Sequence, residues 1–419
     1  MCKKQSSANR NKSFTIVKRP NAFWYGLERT LELFILPKIS IKRTNCQGLK
    51  PPYIVIASHA SFVDFPAVNR AIGCRTTWVV SLEEFVGRDY VMRSIGSISK
   101  HKFTNEIAPV KSIIHSIKKL HTTCTFFPEA RFSLIGKNEP IDGAIGKLVK
   151  TCRCPLVFIR MNGNFLRSPQ WNKHPYRKVP LQTEMIQLVT AQEAETLSAE
   201  EIQQRVEQNF VYNDYAWQRE NNICIDSPVR AENIHRVLYQ CPSCKTEFST
   251  VGKGSVITCN CCGKSWTMDT LGNLVADDGK DIFTDPCAWY DWQYDNVAEQ
   301  VRQGTYRFTD SVRVERLVDA HTGFVPLQGN ARLKQDDSGL TVEGTLDGKP
   351  FVLHRDAATM SSVHIEYDFK GRGDAIDLYD GEYTYWVYPL TATNVLTKLH
   401  FAQIALHKKA LEAKPTSKK

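Results

Sequence analysis

Residues 53–68 read YIVIASHASFVDFPAV, and this stretch decides the class of fold. Its first part, YIVIA, is an apolar and β-branched run typical of a buried strand, whereas SFVDFPAV has the pattern of a turn or the start of a helix. His59 therefore stands where a strand ends and a helix begins. In open α/β sheets this position lies at the carboxyl edge of the sheet, where ligands and reactive groups collect.

The spacing of His59 and Asp64 excludes a pair on one regular helix, because five residues place the side chains about 140° apart. If a helix begins near Ser61, His59 lies in the loop before it and Asp64 can turn back toward the ring. A carboxylate that accepts from one imidazole nitrogen fixes the tautomer and leaves the other nitrogen free to take a proton. The pair is a candidate general base, and a capping box at Ser61 and Asp64 is the alternative.

A chain of 419 residues, of which 42% are hydrophobic, is long enough for two or three domains with sizeable cores. It has 13 cysteines, an odd number, and its first residues, MCKKQSSANRNK, contain no apolar signal region. No uncharged apolar run reaches the ~18 residues that a membrane span needs. We therefore expect a reducing, cytoplasmic setting without a spanning helix.

The net charge of +10 is unevenly distributed along the chain. Residues 266–382 contain 22 acidic and 11 basic residues, a net of −11, so the rest of the chain carries +21. A basic front and an acidic back argue against nucleic acid as a partner along the whole molecule. They favour a basic face against an anionic membrane or anionic small substrates. A solvated surface of mixed charge without a binding role is the alternative.

Five segments are predicted along the chain. They are a basic N-terminus with an amphipathic helix (1–44), an α/β domain (45–195), a helical connector (196–238), a cysteine-rich segment (239–275) and a β-rich C-terminal domain with a terminal helix (276–419). In the α/β domain the apolar runs YIVIA, TTWVV, TCTFFP and CPLVFIR alternate with stretches typical of helices and loops. This pattern predicts an α/β sandwich.

An amphipathic helix is predicted over residues 21–36, NAFWYGLERTLELFIL, with basic residues on both sides. Its apolar residues recur at helical spacing. Such a helix either lies in a membrane interface or packs on its own domain, since both environments produce the same pattern. If the helix lies in a membrane interface, the protein is peripherally associated with a membrane surface, which is the localisation that we expect.

Residues 126–133, FFPEARFS, form a second candidate block, in which another apolar strand ends at a proline, a carboxylate and an arginine. Together with His59 and Asp64, this block resembles the glycerolipid acyltransferase superfamily, whose best-known members acylate lysophosphatidic acid. The hallmark of that family is an N-H-x4-D block followed by F-P-E-G-T-R-S. Residues 96–102, GSISKHK, are similar to its G-x-I-F-I-x-R segment, and residues 154–157, CPLV, to its V-P-I-V strand. The resemblance covers residues 45–165.

The resemblance implies that His59 is the base for a substrate hydroxyl and that Asp64 orients it. The hydroxyl oxygen would then attack the thioester of acyl-CoA or acyl carrier protein, and the acceptor would be a lysophospholipid such as 1-acyl-sn-glycerol-3-phosphate. It also implies that Glu129, Arg131, Lys102 and Gly96 bind substrate. The predicted process is phospholipid biosynthesis.

The acceptor blocks depart from the family pattern at several positions. Ser58 stands in place of asparagine and Ala130 in place of glycine, and Arg131 comes one position early, with Phe132 where the arginine normally stands. Lys102 replaces an arginine, so a bidentate grip on phosphate becomes a point charge. A non-catalytic lipid-binding or scaffold protein with a degenerate acyltransferase domain is therefore the alternative function. For Glu129 and Arg131 the alternative is an internal ion pair.

Two C-x2-C pairs, Cys241 with Cys244 and Cys259 with Cys262, are separated by fourteen residues. Thiolates at this spacing in tight turns bind Zn²⁺ tetrahedrally, and the glycine after Cys262 suits such a turn. The pattern predicts a structural zinc ribbon, with Cys261 as a bystander. The strands and final helix of the C-terminal domain resemble a pleckstrin-homology-like architecture, although no motif supports this.

Overall fold

The computed structural model describes residues 17–35, 38–141, 143–172 and 176–413. Its first half is built on a seven-stranded sheet in the order β1-β7-β6-β2-β5-β3-β4. The strands are β1 (Ile39–Thr44), β2 (Ile54–Ala57), β3 (Thr76–Ser81), β4 (Ser97–Lys100), β5 (Thr123–Phe126), β6 (Leu156–Asn162) and β7 (Leu181–Val189). All neighbouring strands are parallel except β6 and β7.

Helices cover both faces of this sheet, as the predicted α/β sandwich requires. They are α2 (Asp64–Ile72), α3 (Asp89–Ser94), α4 (Ile107–Lys118), α5 (Ile145–Cys152), α6 (Asn164–Arg167), α7 (Ala191–Thr196), α8 (Ala199–Asn209) and α9 (Asp214–Glu220). In β2, Ile54 and Ile56 join a core formed with α4, α5 and α8. Val55 and Ala57 point to the opposite face and join a core formed with α2. The period of two along a strand explains why the whole YIVIA run is apolar.

The parallel order brings the predicted blocks to one edge of the sheet. Because β6, β2, β5, β3 and β4 run in the same direction, their carboxyl ends meet there. His59 follows β2, the FFPEARFS block follows β5, and Lys102 follows β4. The sheet thus assembles residues from distant parts of the chain into one region.

Two elements differ from the prediction around this domain. β1 belongs to the segment 1–44 yet pairs with β7 in the central sheet, and α1 (Ala22–Ile35) precedes it. The single helical pattern of the connector is divided into α8 and α9, because Asn213 caps a new helix by accepting from the Ala216 amide at 2.9 Å. The break lets Tyr212 leave the helical path and reach Glu129.

The cysteine-rich segment forms a four-stranded antiparallel sheet in the order β11-β10-β9-β8. Its strands are β8 (Thr250–Lys253), β9 (Val256–Cys259), β10 (Ser265–Met268) and β11 (Leu274–Ala276). A helix absent from the prediction follows, α10 (Pro286–Arg302), which is capped by the Asp285 side chain and has proline at its start. Trp266 of β10 packs edge-on against Trp289 of α10, which fixes the small sheet against this helix.

The C-terminal domain is a seven-stranded antiparallel sheet in the order β15-β14-β13-β12-β18-β17-β16. Its strands are β12 (Phe308–Leu317), β13 (Phe324–Asp336), β14 (Gly339–Leu346), β15 (Lys349–Asp356), β16 (His364–Glu366), β17 (Ala375–Tyr379) and β18 (Thr384–Pro389). The terminal helix α11 (Leu396–Glu412) closes it. Short 3-10 helices span Leu82–Phe85, Ile234–Arg236, Ala357–Thr359 and Phe369–Gly371.

One hydrophobic core joins the three regions. It includes Phe165 of the α/β domain, Trp266 of the small sheet, Trp289 of α10 and Phe401 of α11. The C-terminal domain and the cysteine-rich segment are therefore packed against the α/β domain through a continuous apolar interior, which places the C-terminal domain over the carboxyl edge of the first sheet.

Candidate active site and metal centre

His59 and Asp64 form a hydrogen-bonded pair in the loop between β2 and α2. His59 Nδ1 lies 2.9 Å from Asp64 Oδ2, the contact that the sequence predicts. The helix begins at Asp64 rather than near Ser61, and residues 61–63 form a turn before it. Within the described part of the chain, the hydrogen bond of this ring uses Nδ1, so Nε2 is the nitrogen available to a ligand.

The Asp64 carboxylate is fully buried and held by several donors. Its Oδ2 also accepts from the Ala60 amide at 2.6 Å and the Ser61 amide at 2.9 Å. Its Oδ1 accepts from Asn164 Nδ2 at 2.6 Å. The capping box considered from the sequence is not formed, because the helix starts at Asp64 and its N-cap is Val63, without a side-chain cap. Asp64 instead ties the turn before the helix to the imidazole and orients the ring.

Asn164 is a site residue that sequence reasoning missed. It follows β6, the strand of the CPLV block, and reaches Asp64 because β6 neighbours β2 in parallel. The available signal was a polar Asn-Gly-Asn run directly after an apolar strand. That signal points to Asn164 as a partner of Asp64 only when the pairing of β6 with β2 is known.

Aromatic side chains enclose the imidazole. His59 stacks on Phe127 with ring centroids 3.7 Å apart, and Phe132 lies 4.3 Å away. Burial lowers the pKa of His59, and the hydrogen bond and charge of Asp64 offset this only in part. The ring is therefore neutral at physiological pH, the state that can accept a proton.

A cavity of about 1440 Å³ opens beside the pair. It exceeds the ~300–1,000 Å³ of common small-molecule pockets. Apolar side chains of β3, α4 and α5 line one part of it, among them Val79, Ile113 and Leu148. The C-terminal domain lines another part, with polar residues such as Ser362 and His364. The cavity combines an apolar surface with polar groups near one base, and it lies between two domains.

Glu129 and Arg131 line this cavity but do not pair with each other. Glu129 accepts from Tyr212 Oη at 2.8 Å and from the Glu139 amide at 3.0 Å. Burial raises the pKa of Glu129 to about 8, so this carboxyl is protonated near neutral pH. Arg131 forms its ion pair with Glu139 instead. An ion pair between Glu129 and Arg131, the alternative considered from the sequence, is therefore not formed, and the partner of Arg131 is one that the sequence did not indicate.

The guanidinium of Arg131 is also bound by the C-terminal domain. Its Nη1 donates to Ser362 Oγ at 2.7 Å and to His400 Nδ1 at 3.1 Å. His400 belongs to α11, and its Nε2 lies 2.9 Å from Glu139. The arginine expected to bind substrate is therefore part of a buried network between domains.

Ala130 explains one departure from the family pattern. Its φ angle is 54°, in the left-handed region that favours glycine. The backbone at Ala130 thus adopts the same left-handed turn that a glycine would adopt there. A glycine would do so without strain, whereas an alanine is strained in this conformation. Ser58, the replacement for asparagine, accepts from the Met161 amide at 3.0 Å through its hydroxyl.

Lys102 lines the cavity within a second ion cluster, and Gly96 lies outside the cavity lining. Lys102 Nζ is 2.6 Å from Glu83 and 2.9 Å from His364 Nε2. Gly96 has a φ angle of 77°, and a Cβ atom there would lie 2.8 Å from Pro20 Cγ. Close packing against Pro20 therefore explains why a glycine stands at position 96, and no ligand is needed to explain it.

The four cysteines predicted to bind zinc lie together. The sulfur atoms of Cys241, Cys244, Cys259 and Cys262 all lie within 4.8 Å of one another. Two of the pairs are 3.7 Å apart. A tetrahedron with Zn–S bonds of ~2.3 Å separates its sulfurs by about 3.8 Å, so the set fits this metal. Cys261 does not belong to the set.

Both cysteine pairs adopt the same turn. The Lys245 amide donates to the Cys241 carbonyl at 2.9 Å, and the Gly263 amide donates to the Cys259 carbonyl at 2.8 Å. Lys245 and Gly263 follow the second cysteine of each pair and have φ angles of 62° and 77°. The repeated geometry orients the thiols toward one point.

Helix α1 presents an apolar face away from the protein. Phe23, Leu27, Leu31 and Phe34 are 70%, 39%, 48% and 83% exposed. Beside this face, Glu28 accepts a hydrogen bond from Asn69 of α2 at 2.6 Å through its carboxylate. Within the described ranges, no helix is both long and apolar enough to cross a bilayer.

The fold and the cavity define an α/β protein with an imidazole–carboxylate pair at the carboxyl edge of its sheet and a cluster of four thiols, spaced as metal ligands are, in an adjoining small sheet. Among solved structures, the chain is similar to the crystal structure of the 1-acyl-sn-glycerophosphate (LPA) acyltransferase PlsC from Thermotoga maritima. The TM-score is 0.36 at 16% sequence identity, and the similarity covers 45% of this chain and 75% of that chain. No family model and no curated protein matches the sequence.

Proposed function

We propose that this protein is an O-acyltransferase that moves a fatty acyl group from acyl-CoA or acyl carrier protein to the hydroxyl of a lysophospholipid. The observation that carries the proposal is the His59–Asp64 pair, whose free nitrogen adjoins a large, partly apolar cavity. The block resemblance at residues 45–165 supports the same reaction. Phospholipid biosynthesis is the process that such a reaction would serve.

In this reaction His59 Nε2 takes the proton of the acceptor hydroxyl as its oxygen attacks the thioester carbon. The carbon–sulfur bond then breaks, and the imidazolium returns its proton to the departing thiolate. Asp64 keeps the Nδ1 proton in place and stabilises the positive ring. The thioester is already activated, so neither a covalent enzyme intermediate nor an activating metal is needed. Glu129, Arg131 and Lys102 border the acceptor region in this proposal, and their positions in the cavity lining support that role.

The four cysteines hold one zinc ion with a structural role in the same proposal. Four thiolates complete the tetrahedron and leave no position for water or substrate. The C-terminal sheet consists of two antiparallel meanders, β12 to β15 and β16 to β18, which pair with each other through β12 and β18. Helix α11 closes this sheet. The arrangement supports the pleckstrin-homology-like interpretation.

The direct test is an assay of purified protein with labelled acyl-CoA and a panel of lysophospholipids. Transfer of label to an acceptor hydroxyl is the expected result. Binding of lysophospholipids without transfer from acyl-CoA or from acyl carrier protein would instead identify a lipid-binding or scaffold protein.

The pH dependence of acyl transfer is expected to follow the neutral form of His59. Because the pKa of this histidine lies below its ordinary value of 6.5, kcat/KM should fall as the pH decreases, with its half-maximal point below pH 6.5. Initial rates at a constant ionic strength between pH 5 and 8 measure the midpoint. A midpoint clearly above 6.5 would contradict the assignment of His59 as the base.

The exposed face of α1 is expected to bind an anionic membrane surface, in line with the peripheral association expected from the sequence. A carboxylate of α1 is bound to α2, and Lys18, Arg19 and Lys38 beside the helix are exposed. Removal of both phenylalanines in the variant Phe23→Ser/Phe34→Ser should weaken binding to phosphatidylglycerol vesicles by roughly a hundredfold or more, at ~1.5–3 kcal/mol for each side chain.

Sedimentation with vesicles measures this binding, and Val352→Ser is the control. Val352 is an apolar residue of β15 with 71% exposure, far from α1 in the sequence. Equal binding of wild type and the double variant would show that α1 does not contact the membrane.

A further inference from the structure

The edge strand β16 of the C-terminal domain brings two ionisable residues to the cavity of His59. His364 and Glu366 are two positions apart and therefore lie on the same side of the strand, and both line the cavity. They meet Lys102 and Glu83 from the α/β domain and Asp377 from β17. We call these five residues the inner ion cluster.

The inner ion cluster carries a negative net charge. Lys102 supplies one positive charge against the carboxylates of Glu83, Glu366 and Asp377. Although burial raises the pKa of a carboxyl, the charges of Lys102 and His364 outweigh it and hold the pKa of Glu83 at about 2. His364 shares its Nδ1 with Asp377 at 2.9 Å. The sum is −2 with a neutral His364 and −1 with a protonated one.

Lys102 and Arg131, two cations in the cavity lining, have their charge balanced within the protein. Lys102 is bound by Glu83 and His364, and Arg131 by Glu139, Ser362 and His400. A phosphate monoester carries about −1.5 to −2 charges at neutral pH. If Lys102 or Arg131 bound such a group, one of these buried pairs would have to separate, and the cluster carboxylates would add repulsion.

The most accessible member of the inner ion cluster is a carboxylate. The Glu366 side chain is 21% exposed, compared with 14% for Lys102 and 2% for His364. Gln170 donates to its Oε2 at 2.7 Å, which fixes the carboxylate and leaves Oε1 toward His364 at 3.4 Å. A ligand that meets this part of the cavity meets a hydrogen-bond acceptor with negative charge, so a cationic donor is its best complement.

We propose that Glu366 is a specificity-determining residue that binds an ammonium group of the acceptor, so that the acceptor is a lysophospholipid with an amine headgroup and not a phosphate monoester. The inference rests on the acyl-transfer function proposed above and names the acceptor class for the same cavity. A zwitterionic headgroup brings no net charge into the cavity, and its ammonium group replaces water at the most accessible carboxylate of the inner ion cluster. The C-terminal domain thereby selects the acceptor, while the α/β domain supplies the base.

The test compares acceptors that differ only in their headgroup. Wild-type protein is assayed with acyl-CoA and lysophosphatidylethanolamine, lysophosphatidylglycerol or lysophosphatidic acid of the same chain length in identical mixed micelles. Wild type should prefer the ethanolamine acceptor over lysophosphatidic acid in kcat/KM by roughly ten- to a hundredfold, the range for a charged hydrogen bond. Glu366→Gln should remove most of this preference, because its amide keeps the shape without the charge. A preference of wild type for lysophosphatidic acid overturns the proposal, and an equal rate with the glycerol headgroup overturns the ammonium assignment.

Glu84→Gln is the matched control, since Glu84 also lines the cavity but pairs with Arg88 at the surface. It should leave the ratio of kcat/KM between acceptors unchanged. If Glu366→Gln lowered kcat/KM equally for all acceptors, the cause would be a general loss of structure, and the assignment of Glu366 would be overturned. Binding is measured separately, by calorimetry with six-carbon forms of the same lysolipids and no acyl donor. If no acceptor is acylated, the acyl-transfer proposal fails, and calorimetry still decides the headgroup. Tighter binding of the ethanolamine form supports Glu366 as its ligand, and equal or absent binding overturns it.

Discussion

His59→Ala is expected to abolish acyl transfer while the protein stays folded. A methyl group cannot accept the hydroxyl proton, and loss of a general base costs ~10²–10⁴-fold in rate. The imidazole lies at the border of the cavity, so its removal leaves the strand and helix on either side intact. Turnover with labelled acyl-CoA measures the loss of activity, and thermal unfolding of the same preparation shows whether the protein is folded.

Two further variants distinguish a catalytic loss from a structural one. Asp64→Asn should impair turnover severely, because an amide that donates to Nδ1 forces the proton onto Nε2, the nitrogen that must accept. His407→Ala removes another imidazole from the same cavity, one that binds the Ala357 carbonyl, and should retain turnover. Near wild-type activity of His59→Ala would refute the mechanism.

Loss of the metal centre is expected to have the second large effect, on stability. The segment between the cysteine pairs is short, and metal binding supplies ~10–16 kcal/mol in isolated zinc-finger peptides. Cys244→Ser should abolish the binding of one zinc per chain and unfold the small sheet of β8 to β11. Elemental analysis, the midpoint of thermal unfolding and hydrogen exchange of the strand amides measure these changes.

Cys261→Ser is the matched control, because Cys261 is exposed and lies next to Cys262 without joining the thiol set. It should keep the zinc and the unfolding midpoint of wild type. Protein purified under reducing conditions without chelator should contain the metal, and its absence would refute the site. A metal-free protein that remains folded but inactive would refute the structural role.

The effect of metal loss on catalysis should be indirect and pass through α10. Trp289 Nε1 donates to the Gln240 carbonyl beside the first cysteine at 2.8 Å, and Tyr290 Oη donates to Glu139 at 2.6 Å. Glu139 in turn binds Arg131 and His400. Unfolding of the small sheet should therefore loosen this network in the cavity lining without displacing His59 itself.

Some elements could not be predicted because their hydrophobic pattern is weak. Helix α10 buries Trp289, Tyr290 and Gln293 among polar neighbours, so its sequence has little amphipathic contrast. The long strand β13 places exposed polar residues between Leu327, Ala331 and Leu333, so its run lacks the regular alternation that marked the other strands. In both cases tertiary packing outweighs the local pattern.

The sequence by itself determined the features that depend on neighbours along the chain. The strand and turn around His59 bring Asp64 to the ring across only five positions, and each cysteine pair is shaped by one tight turn. Tertiary structure alone decided the partners of the other site residues. Asn164 reaches Asp64 from 100 positions away, and Lys102 and Arg131 meet His364 and His400 across 262 and 269 positions. Local periodicity specifies which face of an element is buried, whereas the identity of a buried partner depends on how whole sheets and helices pack, and this packing forms the cavity beside His59.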